Sequence, residues 1–348
     1  MNVKRLFIGV PVVAGLALLL LAVAGAKASS PQSQPVLPNA PESTIHTLAV
    51  TPTFWTSGWT DINQGQTLTF NHNLGLPPEQ LAVELWFKDT GIGGMGINLA
   101  NYGGLEANGN WHGAFWRNLT ANSIQVRRLA NDNHADQVRI QVWAVSPPDY
   151  DSGWTSIDPS TSPHFFHGLT VTPTDLSVSV WFSGTLHGIN QFSYGGLTDG
   201  DLERGAYWWM TDDAVRVFRR ADDANIEQVR VVVVHGAAPD YDSLVTLGGW
   251  QTMTQGVPFT FTHNLNWDPD KLMVRAECRD DAVSEKVYHQ IWAGGDEYND
   301  GLFRGAYLQN LTANTVQFVR RANDNECDFA RVVISRRSAK IYLPVLMY

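Results

Sequence analysis

The sequence predicts an all-β protein made of three tandem antiparallel β-sandwich domains of about six strands each. Gly58-Trp59, Gly153-Trp154 and Gly249-Trp250 open three units, the tryptophans lying 95 and 96 residues apart. A histidine follows each pair at a matching offset, in Phe70-Asn-His72, Phe165-Phe-His167 and Phe261-Thr-His263. Within each unit short runs alternate apolar and polar residues, and no long stretch carries helical period.

The chain begins with Lys4 and Arg5, an apolar run from Leu6 to Ala26, and the small-residue patterns Ala24-Gly-Ala26 and Ala26-Lys-Ala28. Residues 1–28 therefore read as a secretory signal. The run is also long enough to span a bilayer, so an uncleaved anchor competes with that reading. Pro11 and the small residues favour cleavage, and no cysteine follows to carry a lipid. Residues 29–53 are rich in Ser, Pro, Gln and Thr, which cannot bury enough surface to fold, and read as a spacer.

The repeats occupy 54–149, 150–240 and 241–338, with a tail at 339–348. In each, Pro77-Pro78, Pro173 or Pro269 precedes a strand, at Leu81–Phe87, Leu176–Phe182 and Leu272–Cys278. Ser123–Arg128, Ala214–Arg219 and Thr315–Arg320 form a second aligned set. Gln137–Trp143, Gln228–Val234 and Phe329–Ile334 form a third, joined to the second by polar loops of hairpin length. The linkers Ser146–Ser152 and Ala237–Ser243 are short, so neighbouring units are expected to touch or nearly touch.

The formal charge is −10, and −12 once Lys4 and Arg5 are removed. An acidic chain with dispersed arginines lacks the footprint of a nucleic-acid binder. No apolar segment after the signal is long enough to cross a bilayer, which places the folded part outside the cytoplasm. Cys278 and Cys327 both fall in the third unit, where an exported protein could join them.

Positions held in all three copies separate the framework from what varies. Gly113-Ala114, Gly205-Ala206 and Gly305-Ala306, and the pairs at Gly103, Gly195 and Gly294, mark positive φ or close backbone approach. Arg128, Arg219 and Arg320 end the second strand, and Arg139, Arg230 and Arg331 begin the third. Between them lie Asp132, Asp223 and Asp324, then Asp136, Glu227 and Asp328. On a hairpin these charges come within reach of one another. They read as a loop clamp, as a grip on sugar hydroxyls, or as calcium ligands without the glycine and terminal Glu of an EF-hand. His72, His167 and His263 sit where a strand meets a turn, with no partner at metal-ligand spacing in the same unit.

The aromatics vary between copies: Trp111, Phe115 and Trp116 in the first, Tyr207-Trp208-Trp209 in the second, and Trp292, Tyr298 and Tyr307 in the third. Indole faces stack on sugar rings, and 13 Trp is a large stock, but half-buried aromatics also fill sandwich cores. The expected sugar site joins Trp111, Trp116, Tyr207, Trp208, Trp292 and Tyr298 to the Arg128–Asp132, Arg219–Asp223 and Arg320–Asp324 pairs. Neither a catalytic motif nor a phosphate loop is present, and carboxylates paired with arginine make poor general acids, so the chain is not expected to be an enzyme or to need a cofactor or metal. Asn118-Leu-Thr and Asn310-Leu-Thr match the glycosylation pattern, and a turn signal explains them equally well.

Gly-Trp at the start, Phe-x-His-x-Leu before a Pro-led strand, and a closing hairpin ending in Val138-Arg-Ile-Gln-Val-Trp143 together make the unit similar to the H-type lectin domain of invertebrate agglutinins and slime-mould discoidins. The resemblance spans all three repeats. It implies a six-stranded sandwich that binds N-acetylgalactosamine as a trimer, and a pseudo-threefold packing of the units would let one chain imitate that trimer. The tail Ala339–Tyr348 resembles the Tyr-Leu-Pro tail ending many secreted proteins of filamentous green non-sulfur bacteria, which implies a bacterial extracellular protein. The expected function is secreted or surface-displayed multivalent glycan binding. The alternative is a structural or adhesive envelope protein whose partners are other proteins.

Overall fold

The computed structural model describes residues 54–336 with short breaks (101, 104, 108–109, 146, 192–196, 200–201, 236–237, 281–287, 291–295, 298–302 and 326). The expected signal, spacer and tail lie outside the described residues.

Period-two alternation resolves into strands throughout. In the first unit a five-stranded sheet orders Phe54–Thr56, Gln137–Ala144, Leu81–Asp89 and Gly96–Asn98, with Thr60–Asp61 also on Gln137–Ala144. It packs on a three-stranded sheet of Thr67–Asn71, Ser123–Arg128 and Ala114–Arg117. All pairings between these strands are antiparallel, as in the second and third units. The strands outnumber the six expected, because the chain turns sharply at Gly58 and splits the first strand. Each unit also extends a hairpin arm: Leu105–Ala107 with Asn110–His112, Leu197–Asp199 with Leu202–Arg204, and Asp296–Glu297 with Phe303–Arg304. The three arms lie against one another.

Three cores result. Phe87, Trp116, Val126 and Ile140 anchor the first, Phe182, Trp208, Val217 and Val231 the second, and Phe261, Leu308, Phe318 and Val332 the third. They interlock, since Trp181 of the second unit enters the first core while Trp86 and Ile97 of the first enter the third. The aligned residue in the third unit is Glu277, which pairs with Arg331 at 3.1 Å and Arg275 at 3.0 Å instead.

The units close into a ring. Gly188–Asn190 of the second runs along Ala114–Arg117 of the first, with Asn118 N donating to His187 O at 3.0 Å and Gln191 N to Trp116 O at 3.3 Å. Tyr288–Gln290 of the third pairs with Ala206–Met210 of the second. Gly96–Asn98 of the first then returns to Ala306–Gln309 of the third, through Leu99 N to Leu308 O and Asn310 N to Met95 O, both 2.9 Å. Every three-stranded sheet thus gains an edge strand from another unit, which satisfies donors that an open edge would leave bare. The contact is closer than the short linkers alone implied.

A second layer of contacts uses Arg139, Arg230 and Arg331, each 2–3% exposed. They are expected to reach the acids of their own hairpin loop; instead Arg230 and Arg331 pair with Asp151 and Asp242 of their own units, and all three also reach across a unit boundary. Arg139 Nη1 donates to Asp270 at 2.6 Å, Arg230 Nη2 to the Glu79 carbonyl at 2.8 Å, and Arg331 Nη1 to the Thr174 carbonyl at 2.7 Å. The acceptors belong to the single 3-10 turns that the Pro78, Pro173 and Pro269 positions start. Trp59 and Trp154 add Nε1 bonds to Asp270 and Glu79, at 2.9 and 3.3 Å. In the first two copies the Gly-Trp motif therefore marks an interface.

Cys278 and Cys327 form a disulfide, with Cα atoms 5.0 Å apart. By register they replace Phe87 and Ala135 in the first unit and Phe182 and Ile226 in the second, so a covalent link stands where the other copies pack apolar side chains. Closing a loop of 49 residues is worth about 4 kcal/mol in the unfolded chain. Reduction should lower the thermal midpoint of the native protein, read by scanning calorimetry with and without a thiol reductant.

Candidate functional site

The loop after each second strand is organised by one buried aspartate. Asp132 Oδ1 accepts from Gly113 N at 3.0 Å, and its Oδ2 accepts from Arg128 Nε at 3.0 Å, His134 N at 3.1 Å and Ala135 N at 2.8 Å. Arg128 continues to the Ile62 and Asp132 carbonyls, both at 2.8 Å. Asp223 with Arg219 and Gly205, and Asp324 with Arg320 and Gly305, repeat the arrangement. Gly113, Gly205 and Gly305 hold φ of 93°, 86° and 86°, which aims the N–H at the carboxylate and excludes a side chain. All three aspartates are 0–3% exposed. Of the readings open for these pairs, the geometry is that of the loop clamp. Among the described residues no three His, Cys, Asp or Glu side chains gather as a metal site.

The histidines are structural as well. Nδ1 of His72, His167 and His263 accepts from the backbone N–H two residues on, at 3.3, 3.1 and 3.3 Å. Burial lowers each pKa below the ordinary 6.5. His187, at the boundary of the first two units and 5.5 Å from Phe115, is pushed to about 4 by burial and then by Arg117 and Arg127. Asn118 and Asn310 adopt φ of 51° and 50° and donate to Gln125 and Gln317 at 3.0 Å. Gly188 faces Asn118 so closely that a Cβ there would come within 2.8 Å of its side chain. Both are turn residues at unit boundaries.

The aromatics divide by phase. Trp116 and Trp208 were expected to face sugar, but they are 0% and 3% exposed and lie in the first and second cores. Trp116 Nε1 donates to Gln191 of the second unit at 3.0 Å. Trp111 lies on an arm strand with its side chain outside the described residues, and Trp292 and Tyr298 lie outside them altogether. Tyr207 does reach the outer surface, together with Trp209, which the sequence reading passed over. Alternation along Ala206–Met210 buries Ala206, Trp208 and Met210 and turns Tyr207 and Trp209 outward, a signal legible once the strand is phased on Ala206.

That outer face is the candidate site. His164, Arg216 and Trp209 form a cross-strand row, flanked by Phe218 opposite Tyr207 and by Phe166. Tyr207 stacks on Trp209 at 5.7 Å and 28°, and meets Phe218 at 5.3 Å. Arg216 lies 4.7 Å from the Trp209 centroid, and Phe166 is 63% exposed. The equivalent rows read Thr69, Gln125, Arg117 in the first unit and Thr260, Gln317, Gln309 in the third. Phe115, the counterpart of Tyr207, is 1% exposed. In the third unit that position is Tyr307, half-buried with Arg321 over its ring at 4.8 Å, so among the described residues the outer-face cluster of several rings belongs to the second unit.

A second concavity lies where the strands Leu81–Asp89, Leu176–Gly184 and Leu272–Arg279 approach one another. Its volume is about 400 Å³, and Val83, Glu84, Val178, Ser179, Val274 and Arg275 contribute to its wall. Glu84, Ser179 and Arg275 are aligned positions carrying three different chemistries.

Comparison with protein-family models, with the curated proteins and with the solved structures gives no match.

The lowered histidine values set a pH response. The unfolded chain takes up protons near 6.5, while the folded protein keeps these imidazoles neutral to lower pH. Between those values the unfolded state binds more protons, so stability is full above 6.5 and falls as pH drops, with His187 contributing down to about 4. Urea midpoints measured between neutral pH and about 4 should decline over that range, above the region where Asp89 and Asp151 begin to matter. Asp132→Ala removes the buried carboxylate that Arg128, Gly113, His134 and Ala135 share, leaving Arg128 only the more distant Asp136 at 3.3 Å, and should cost about 3 kcal/mol in the same assay.

Proposed function

We propose that this protein binds glycans outside the cell, with the outer sheet of the second unit as its sugar-facing platform. The observation that carries the reading is the cluster of Phe166, Tyr207, Trp209 and Phe218 around Arg216, held on strands whose edge is paired by the third unit. Large apolar rings on the surface of a strand cost solvation unless they meet a partner, and stacked aromatics offer the flat apolar face that a pyranose ring covers. The similarity to H-type lectins noted in the repeats agrees with this, as does an architecture in which three sandwiches close on themselves. Export follows from the leader and agrees with the disulfide. The described residues hold no helix long and apolar enough to cross a membrane.

A protein-binding envelope role is the alternative, favoured by the turn Ser243–Thr246. It is absent from the aligned linker Asp149-Tyr-Asp-Ser-Gly-Trp154, and it exposes Val245 at 79% and Leu247 at 45%.

Trp209→Ala should abolish binding to a glycan panel with little change in thermal midpoint, because the ring covers no core. Trp208→Ala is the contrast and should cost about 3–5 kcal/mol of stability. A panel blank for the wild-type protein would retire the glycan reading.

A further inference from the structure

The platform described above holds a charge that the fold does not use. Arg216 sits in the middle strand between His164 and Trp209, and among the described residues no carboxylate pairs with it. Its Nε is buried without a hydrogen-bond partner. Several other buried arginines do hold a carboxylate. Arg128, Arg219 and Arg320 hold their loop aspartates, Arg230 holds Asp151, and Arg331 holds Asp242 and Glu277. In a chain of net charge −10 an arginine left over among aromatic rings stands out. Asp213, at the adjoining turn, accepts from Thr211 Oγ1 at 3.0 Å. In the other two units the same register position is Gln125 or Gln317, each satisfied by a neighbouring Asn or Gln amide.

Resting on the glycan reading, we infer that the ligand of this face is an acidic glycan, whose uronic-acid carboxylate the Arg216 guanidinium holds while ring faces stack on Trp209 and Phe166. A guanidinium matches a carboxylate through two parallel N–H to O bonds, and stacking on Trp209 keeps its plane fixed before the ligand arrives. Apolar rings around the pair exclude water and strengthen it. A neutral glycan would leave the charge unmatched.

The test uses the full chain and three soluble probes of equal length: a neutral hexose oligomer, a hexuronate oligomer and a sulfated hexose oligomer, followed by calorimetric titration. The inference expects the hexuronate to bind tightest, to weaken with added salt, and to lose about tenfold or more in Arg216→Gln. Arg216→Lys, which keeps the charge without the planar fork, should restore only part of that loss. Thermal midpoints of both variants should match the wild type, since Arg216 supports no other side chain by hydrogen bond. Equal binding of neutral and acidic probes, unaffected by Arg216→Gln, would overturn the acidic-ligand inference and leave the glycan reading standing. Tighter binding of the sulfated probe would overturn the carboxylate in favour of sulfate. No binding of any probe would remove the glycan reading and this inference together.

Discussion

A sheet edge that is neither paired nor covered leaves backbone donors and acceptors bare, and the rest of this structure follows from how that constraint is met. Each three-stranded sheet would present one open edge, and each has that edge covered by a short strand of another unit. Because the third such contact returns to the first unit, no edge of this kind remains at either end of the repeat array. Three sandwiches thereby become one compact body.

The buried arginines reinforce this closure. Arg139, Arg230 and Arg331 are buried charges that each donate to a neighbouring unit, and for Arg139 the acceptor across the boundary is a carboxylate, so separating the units would break that ion pair. The proline-started 3-10 turns are what present those acceptors. Trp86 and Trp181 carry the same logic into the apolar interior, each completing a core that its own unit does not own. In the third unit Glu277 answers Arg331 instead, and the disulfide takes over a packing contact nearby.

Much of this was legible in the sequence, because period and repetition are written locally. The all-β class, the three copies, the strand positions and the loop clamp follow from alternation and from residues held at matching offsets. The directions of side chains across a unit boundary were not legible. Arg139 sits a few residues from Asp136, and nothing local shows that its partner is Asp270. The aromatic pair Trp208-Trp209 is the sharper case. Two identical side chains lie side by side in sequence, and only the phase of the strand decides that one fills a core and the other meets solvent. Counting tryptophans finds the pair, whereas phasing them against Ala206 and Met210 tells them apart.

The aligned positions Glu84, Ser179 and Arg275, which face a common cavity, have a genetic consequence. In an assembly of identical subunits every codon change near the symmetry axis appears in triplicate, so an acidic substitution brings three like charges together. Fusion into one polypeptide removes that penalty. Each copy can be altered singly, and one lobe can acquire a recognition surface while its siblings stay devoted to holding the circle shut.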